Sequence, residues 1–214
     1  EWPHLLRTTV QAANDKAAIV CGLHYKDTKG TIEDAKRAQD LGAIGLQVCP
    51  PIFNLPSQTD ILDFYEDLSN AIDIGILVYV TKGMQCPIYM ETYREMVAFE
   101  HIVGVKWGAS PAAGEFEDIF ELADTFNIII NGSKSAPLGH RLGAKGYISR
   151  TADIYPPYDL HIWELIENNK YDEAQALLDS VDNLLEPISS KVNNRTGGQG
   201  VIKKGMMAAR GRPC

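Results

Sequence analysis

Cysteine is scarce and scattered in this chain: Cys21, Cys49, Cys86 and Cys214 stand far apart with no C-x-x-C pair. Neither a zinc knuckle nor a dithiol redox site is signalled, and reduced thiols are expected. Positive charge is in deficit. A net charge of −8 and a pI near 5.1 argue against nucleic acid or an anionic membrane as partner, because both select clustered Lys and Arg. The small basic group Lys203, Lys204, Arg210 and Arg212 reads as a solvated helix face rather than a phosphate or RNA patch. No apolar run approaches the roughly 20 residues of a membrane span. No secretory leader is read, so the sequons at Asn131 and Asn194 are set aside and a cytoplasmic location is expected. The histidines His4, His24, His101, His140 and His161 show no paired spacing, so no metal is expected. The glycines Gly197, Gly198 and Gly200 follow no strand and match no phosphate-binding fingerprint; they read as an interhelix loop, and no cofactor is expected.

What the sequence does contain is an alternation. With 214 residues and 45% hydrophobic content, a sizeable core is possible in one large domain or two small ones. Strand-like apolar runs occur at 17–22, 43–49, 74–80, 102–106, 127–132 and 144–149. They lack polar alternation, as expected of strands buried on both faces. Amphipathic helical patterns separate them, which predicts a parallel sheet with helical crossovers. Thr31, with Asp34 three positions on, reads as a capping box opening a helix that Gly42 stops. Ile61, Tyr65, Leu68 and Ile72 repeat at helical spacing, as do Phe116, Ile119, Phe120, Ala123 and Phe126. From about Pro157 only helix is read, with Ala174, Leu177, Leu178, Val181, Leu184 and Leu185 on one stripe.

One run ends oddly. "IVGVK" has the composition of a buried strand yet finishes on Lys106, and an ammonium is costly to bury unpaired. In a barrel of parallel strands, functional side chains project from the carboxyl ends. Tyr79, in "ILVYV", stands near the same end of the preceding strand. An amine in a low-dielectric pocket gives up its proton more readily and can then attack a carbonyl, while a phenol within reach can shuttle protons. The ordinary alternatives are a lysine that snorkels to water and a tyrosine that merely packs.

The residues resemble the dihydrodipicolinate synthase and N-acetylneuraminate lyase family of pyruvate-dependent class I aldolases over nearly the whole chain. "IVGVK" is similar to the family's Schiff-base strand, and "ILVYV" to the strand with its catalytic tyrosine. "RAQDLGAIGLQVCPPIFNLPSQ" and "LGAKGYISRTADIYP" resemble two further segments, in the right order. The resemblance implies a TIM (β/α)8 barrel over 1–156, with strands 3 to 8 readable and the first two strands missing. The last barrel helix and a C-terminal helical extension would occupy 157–214. It implies Lys106 as imine-forming lysine, Tyr79 as proton relay, and Gly132 and Ile148 lining the pocket around the imine and the pyruvate carboxylate. It also implies a homo-oligomer, tetramer or dimer, acting on a small 2-oxo acid.

Departures qualify that picture. Phe53 stands where the family has a second tyrosine, Val80-Thr81-Lys82 replaces the usual sequence after the catalytic tyrosine, and Trp107 follows the lysine. No counterpart of the synthases' aldehyde-binding arginine is evident, and the motif that holds the pyruvate carboxylate is not in the sequence. These point away from the synthase reaction and toward another aldol condensation or cleavage, or a dehydration; Trp107 and Phe53 would suit a bulkier second substrate. A metal-dependent class II aldolase lacks ligands here. The other alternative is a catalytically inactive family member, or a fragment, serving in binding or assembly.

Overall fold

The computed structural model describes every residue except 25, 52–54, 81–85, 110, 197–198 and 213–214. The chain divides into two compact units, Glu1–Ile130 with Gly143–Lys145, and Asn131–Leu142 with Gly146–Cys214.

The first unit opens with helix α1 (Trp2–Ala13) and then alternates: β1 (Val20–Leu23), α2 (Thr28–Asp40), β2 (Gly45–Val48), α3 (Gln58–Ser69), β3 (Gly75–Tyr79), α4 (Met90–Met96), β4 (Ile102–Trp107) and β5 (Asn127–Ile130). These strands are parallel and lie side by side in chain order. One face of the central strands is buried, with Leu46, Val48, Ile76, Val78, Val105 and Ile128 fully enclosed, whereas β3 and β5 alternate buried with more open positions, so the expected burial on both faces is met only in part. β1 departs from that expectation, with Val20 51% exposed, because β1 begins the strand order and has a neighbour on one side only.

Local chemistry sets the helix starts. At α3, the Ser57 hydroxyl accepts from the Asp60 amide at 3.1 Å while the Asp60 carboxylate accepts from the Ser57 amide at 2.8 Å. The helix then buries Ile61, Phe64, Tyr65 and Leu68, and the buried Tyr65 hydroxyl donates to the Val48 carbonyl at 2.9 Å. α2 corrects the expected cap. It begins at Thr28, three residues before Thr31, because the Asp27 carboxylate accepts from the Gly30 amide at 2.7 Å. Thr31 is instead buried inside the helix, and Asp34 pairs with Lys26.

The helix expected around Phe116–Phe126 is also corrected. That stretch holds one short 3-10 turn, Asp118–Leu122, with another just before it at Pro111–Ala113; Ile119 within the turn and Phe116 and Phe126 on either side of it are still buried. An i, i+3 spacing such as that of Phe120 and Ala123 serves a 3-10 turn as well as an α-helix.

The second unit contains a 3-10 turn (Ser133–Ser135), α5 (Ala136–Arg141), the two-residue strand β6 (Gly146–Tyr147), α6 (Pro156–Glu167), α7 (Tyr171–Thr196) and α8 (Gln199–Ala209). Its core is Ala136, Ile162, Leu165, Ile166, Ala174 and Leu178. The apolar stripe of α7 is fully buried only over its first turns, at Ala174 and Leu178; Leu184 is 73% exposed. At 26 residues α7 is about 39 Å long, and the 12-residue α6 covers less than half of that. The basic tail is not wholly solvated: Lys203 pairs with Asp153 at 2.6 Å, and the Arg210 guanidinium lies 5.0 Å over the Tyr155 ring. Among the described residues no helix is long and apolar enough to cross a membrane.

Candidate active site

Backbone register decides which side chains meet at the ends of these strands. β3 and β4 begin with Ile76 opposite Ile102, but Leu77 then stands opposite Gly104, so Val103 is skipped. From that bulge onward the pairing is Val78 with Val105 and Tyr79 with Lys106. Side chains alternate along a strand, so a ladder without the skip would set Tyr79 beside Val105, whose side chain points the other way from Lys106. The bulge therefore puts phenol and amine on one face. Gly104 is required at this crowded place: a Cβ there would lie 2.4 Å from the Asn127 carbonyl oxygen and 3.0 Å from Leu77 Cδ1.

Lys106 is 8% exposed, and its amine lies 3.8 Å from the centre of the Tyr79 ring, over its face. The amine thus meets the π-cloud rather than the hydroxyl; a cation there gains from the ring quadrupole. Burial dominates and holds the Lys106 ammonium below its usual range. A larger fraction of neutral, nucleophilic amine follows.

Two more side chains stand level with this pair. Leu23 is paired with Val48 and Val48 with Val78, so His24, Cys49, Tyr79 and Lys106 form one row across β1 to β4 at their carboxyl ends. Cys49, 3% exposed, is small enough that the His24 and Tyr79 rings approach to 5.7 Å across it. Burial pushes the Cys49 thiol up to about 12, so it stays protonated and is no nucleophile. Burial, and after it the charge of Lys106, lowers His24, whose imidazole is neutral near pH 7. One layer below, Gln47 brings its amide nitrogen within 3.3 Å of His24 Nε2. A Cβ on Gly22 would come within 3.2 Å of the same ring nitrogen, so Gly22 leaves room for the imidazole.

Of the expected site residues, the structure brings Tyr79 and Lys106 together. Gly132 and Ile148 belong to the second unit. Gly132 follows β5 with φ of 125°, a conformation that favours glycine. Ile148 follows β6, and the loop after it is pinned by polar contacts. The Ser149 hydroxyl accepts from the Thr151 and Ala152 amides at 2.9 and 3.0 Å. The buried Asp159 carboxylate accepts from the Thr151 and Tyr147 hydroxyls at 2.7 and 3.0 Å. Trp107 does not share the Lys106 face. Its indole donates to the Phe116 carbonyl at 3.0 Å and its ring packs edge-on against Tyr93 of α4 at 6.1 Å. Phe53, Thr81 and Lys82 lie outside the described residues. His24 and Gln47 are not among the expected site residues; only the ladder register shows that they belong with the row. Among the described residues, no group of three or more His, Cys, Asp or Glu could hold a metal ion.

Parallel strands in chain order, alternating with helices and ending on a buried lysine, define a protein of the (β/α)8-barrel class. A putative dihydrodipicolinate synthetase from Pseudomonas aeruginosa superposes with a TM-score of 0.87 at 18% identity, covering 100% of this chain and 72% of that one, and so shows the same fold. Residues 1–208 match the Dihydrodipicolinate synthetase family, and the chain belongs to it. Similar proteins include the 4-hydroxy-tetrahydrodipicolinate synthases of Methanospirillum hungatei, 28% identical over 83% of this chain, and Coxiella burnetii, 26% identical over 94%. The chain spans 61% and 71% of those two relatives' lengths.

Proposed function

We propose that this protein is a Schiff-base-forming lyase acting on pyruvate or another 2-oxo acid, by aldol condensation or cleavage or by dehydration. The observation that carries the reading is the nearly buried Lys106 amine at a strand's carboxyl end, lowered by burial and seated on the Tyr79 ring. The neutral amine attacks the substrate's carbonyl carbon, and loss of water gives an imine. The protonated imine nitrogen draws electrons from the neighbouring carbon and so permits an enamine, from which a carbon–carbon bond forms or breaks or a hydroxyl leaves. Tyr79 relays protons during imine formation and hydrolysis. Gly132 and Ile148 line the imine and the substrate carboxylate, as in the family pattern. Trp107 is committed to Phe116 and Tyr93, and so does not shape the second-substrate pocket. A homo-oligomer, dimer or tetramer, in the cytoplasm completes the reading, with no nucleic acid, membrane or cofactor involved.

The test is incubation with pyruvate, reduction by borohydride, and mass spectrometry of the Lys106 peptide. A pyruvate-sized adduct, absent from Lys106→Ala, is expected. A folded protein that takes up neither pyruvate nor any other 2-oxo acid would instead fit an inactive member of the family.

A further inference from the structure

We propose that the cavity lined by the helices of the second unit is a binding site for a free α-amino acid with an apolar side chain. The proposal goes beyond the lyase reading and does not depend on it.

The cavity measures about 190 Å³ and lies wholly within the second unit, among α7, α8, the start of α6 and the loop after β6. Pockets for drug-sized ligands run to about 300–1,000 Å³, so this one suits a molecule of amino-acid size and not a nucleotide.

Opposite charges face this cavity without touching. Arg150 of the loop lines it, as do Asp182 and Glu186, one turn apart on α7. Among the described residues Arg150 and Asp182 make no hydrogen bond or ion pair, and each feels the other only through longer-range charge. Glu186 accepts only from the Ser190 hydroxyl at 3.5 Å, and the other cation on the wall, Lys203, is already paired with Asp153 at 2.6 Å. Burial, opposed by the charges of Lys134 and Arg150, pushes the Asp182 carboxyl above its usual range. A ligand that carries both charges answers both sides at once. Arg150 offers a carboxylate its fork of N–H donors, while Asp182 and Glu186, which repel each other at i, i+4, share an ammonium. An amine alone would leave the guanidinium unpaired, and an acid alone would leave the two carboxylates so.

The rest of the lining sets the side chain. Val181 and Leu185 of α7 and Ile202 and Met206 of α8 are half-buried around the cavity, so a hydrocarbon side chain gains by entering and a polar one loses its water. Tyr158 of α6 is also on the wall, and its enclosed hydroxyl has no hydrogen-bond partner among the described residues, so a polar ligand group gains a contact there.

The experiment is titration calorimetry on the whole protein with L-leucine as probe. 3-Methylbutylamine and 4-methylpentanoate serve as analogues that each lack one charge. Saturable leucine binding is expected, with each analogue weaker by about tenfold to a hundredfold, the effect of one charged hydrogen bond. Arg150→Gln and Asp182→Asn, which replace each charge by a neutral amide, are expected to weaken leucine by the same factor while thermal unfolding stays close to that of the parent. The analogues need no variant, and so decide the matter even where a variant fails to fold. Lys106→Ala is expected to bind leucine as the parent does, whether or not the parent forms an imine with pyruvate, which separates this proposal from the lyase reading. No saturable binding, an analogue that binds as tightly as leucine, or unchanged affinity in either folded charge variant overturns the proposal. Leucine binding lost in Lys106→Ala would put the amino acid at the imine lysine and overturns it as well.

Discussion

Tyr79 and Lys106 are direct neighbours in the β3–β4 ladder, and the lysine amine rests 3.8 Å above the centre of the tyrosine ring. The ring face supplies packing and quadrupole to the amine, while the hydroxyl is left for the proton transfer proposed above. Tyr79→Phe therefore separates the two roles. Adduct formation on Lys106 should persist, and turnover should drop by about 10²-fold to 10⁴-fold, the usual worth of a positioned proton donor. Loss of trapping together with turnover would show that the hydroxyl also holds the amine in place.

Burial of the Lys106 amine opposes folding as long as the amine is charged. Its folded-state pKa lies below the ordinary value of 10.5, so between the two the unfolded chain binds more protons and stability rises with pH. Lys106→Met removes the charge and keeps the length. Thermal unfolding should show the variant more stable than the parent at pH 7, with a gap that narrows as the pH approaches 10. A gap independent of pH would contradict this account.

Gly104 has no room for a side chain: its Cβ would press on the Asn127 carbonyl, which is backbone and cannot swing away. Gly104→Ala should cost about 3 kcal/mol or more, the upper part of the range for overpacking. At about 2–4 °C per kcal/mol for a chain this size, that lowers Tm by roughly 6–12 °C. A calorimetric shift below 2 °C would mean that the β4–β5 ladder yields more easily than its register implies.

Asp159 gathers the Tyr147 and Thr151 hydroxyls onto one buried carboxylate, within the second unit. Asp159→Ala removes the carboxylate from both, leaving Tyr147 the Asp159 main-chain carbonyl at 3.1 Å and Thr151 the Ser149 hydroxyl at 3.2 Å, and should destabilise by about 2 kcal/mol. Hydrogen exchange should quicken first in the segment 148–155, which the network pins; exchange spread evenly over the second unit would argue that the carboxylate supports the core instead.

Much of this arrangement is legible in the residues alone. Strand positions follow from uninterrupted apolar runs, and Lys106 stands out because a charge ends one of them. Other features are hidden for physical reasons. Asp27 and Thr31 are both sound N-caps; which one acts depends on Thr31 being buried once α2 packs. Whether Phe116–Phe126 winds as α or 3-10 is undetermined by a spacing common to both. His24 looks like one of five unrelated histidines until the register levels it with Lys106. Trp107 shows the converse. Adjacent to the lysine in sequence, it points to the opposite face, since strand neighbours always do.

The skipped Val103 turns chemistry into a question of parity. An odd number of extra residues in β3 or β4 would leave every side chain present and every apolar run intact, yet send the amine to the helix side and a valine to the pocket. A relative with the lysine and the tyrosine can therefore be inert for want of one bulge, and a catalogue of site residues would not reveal it. Counting backbone steps between the strand start and the lysine would.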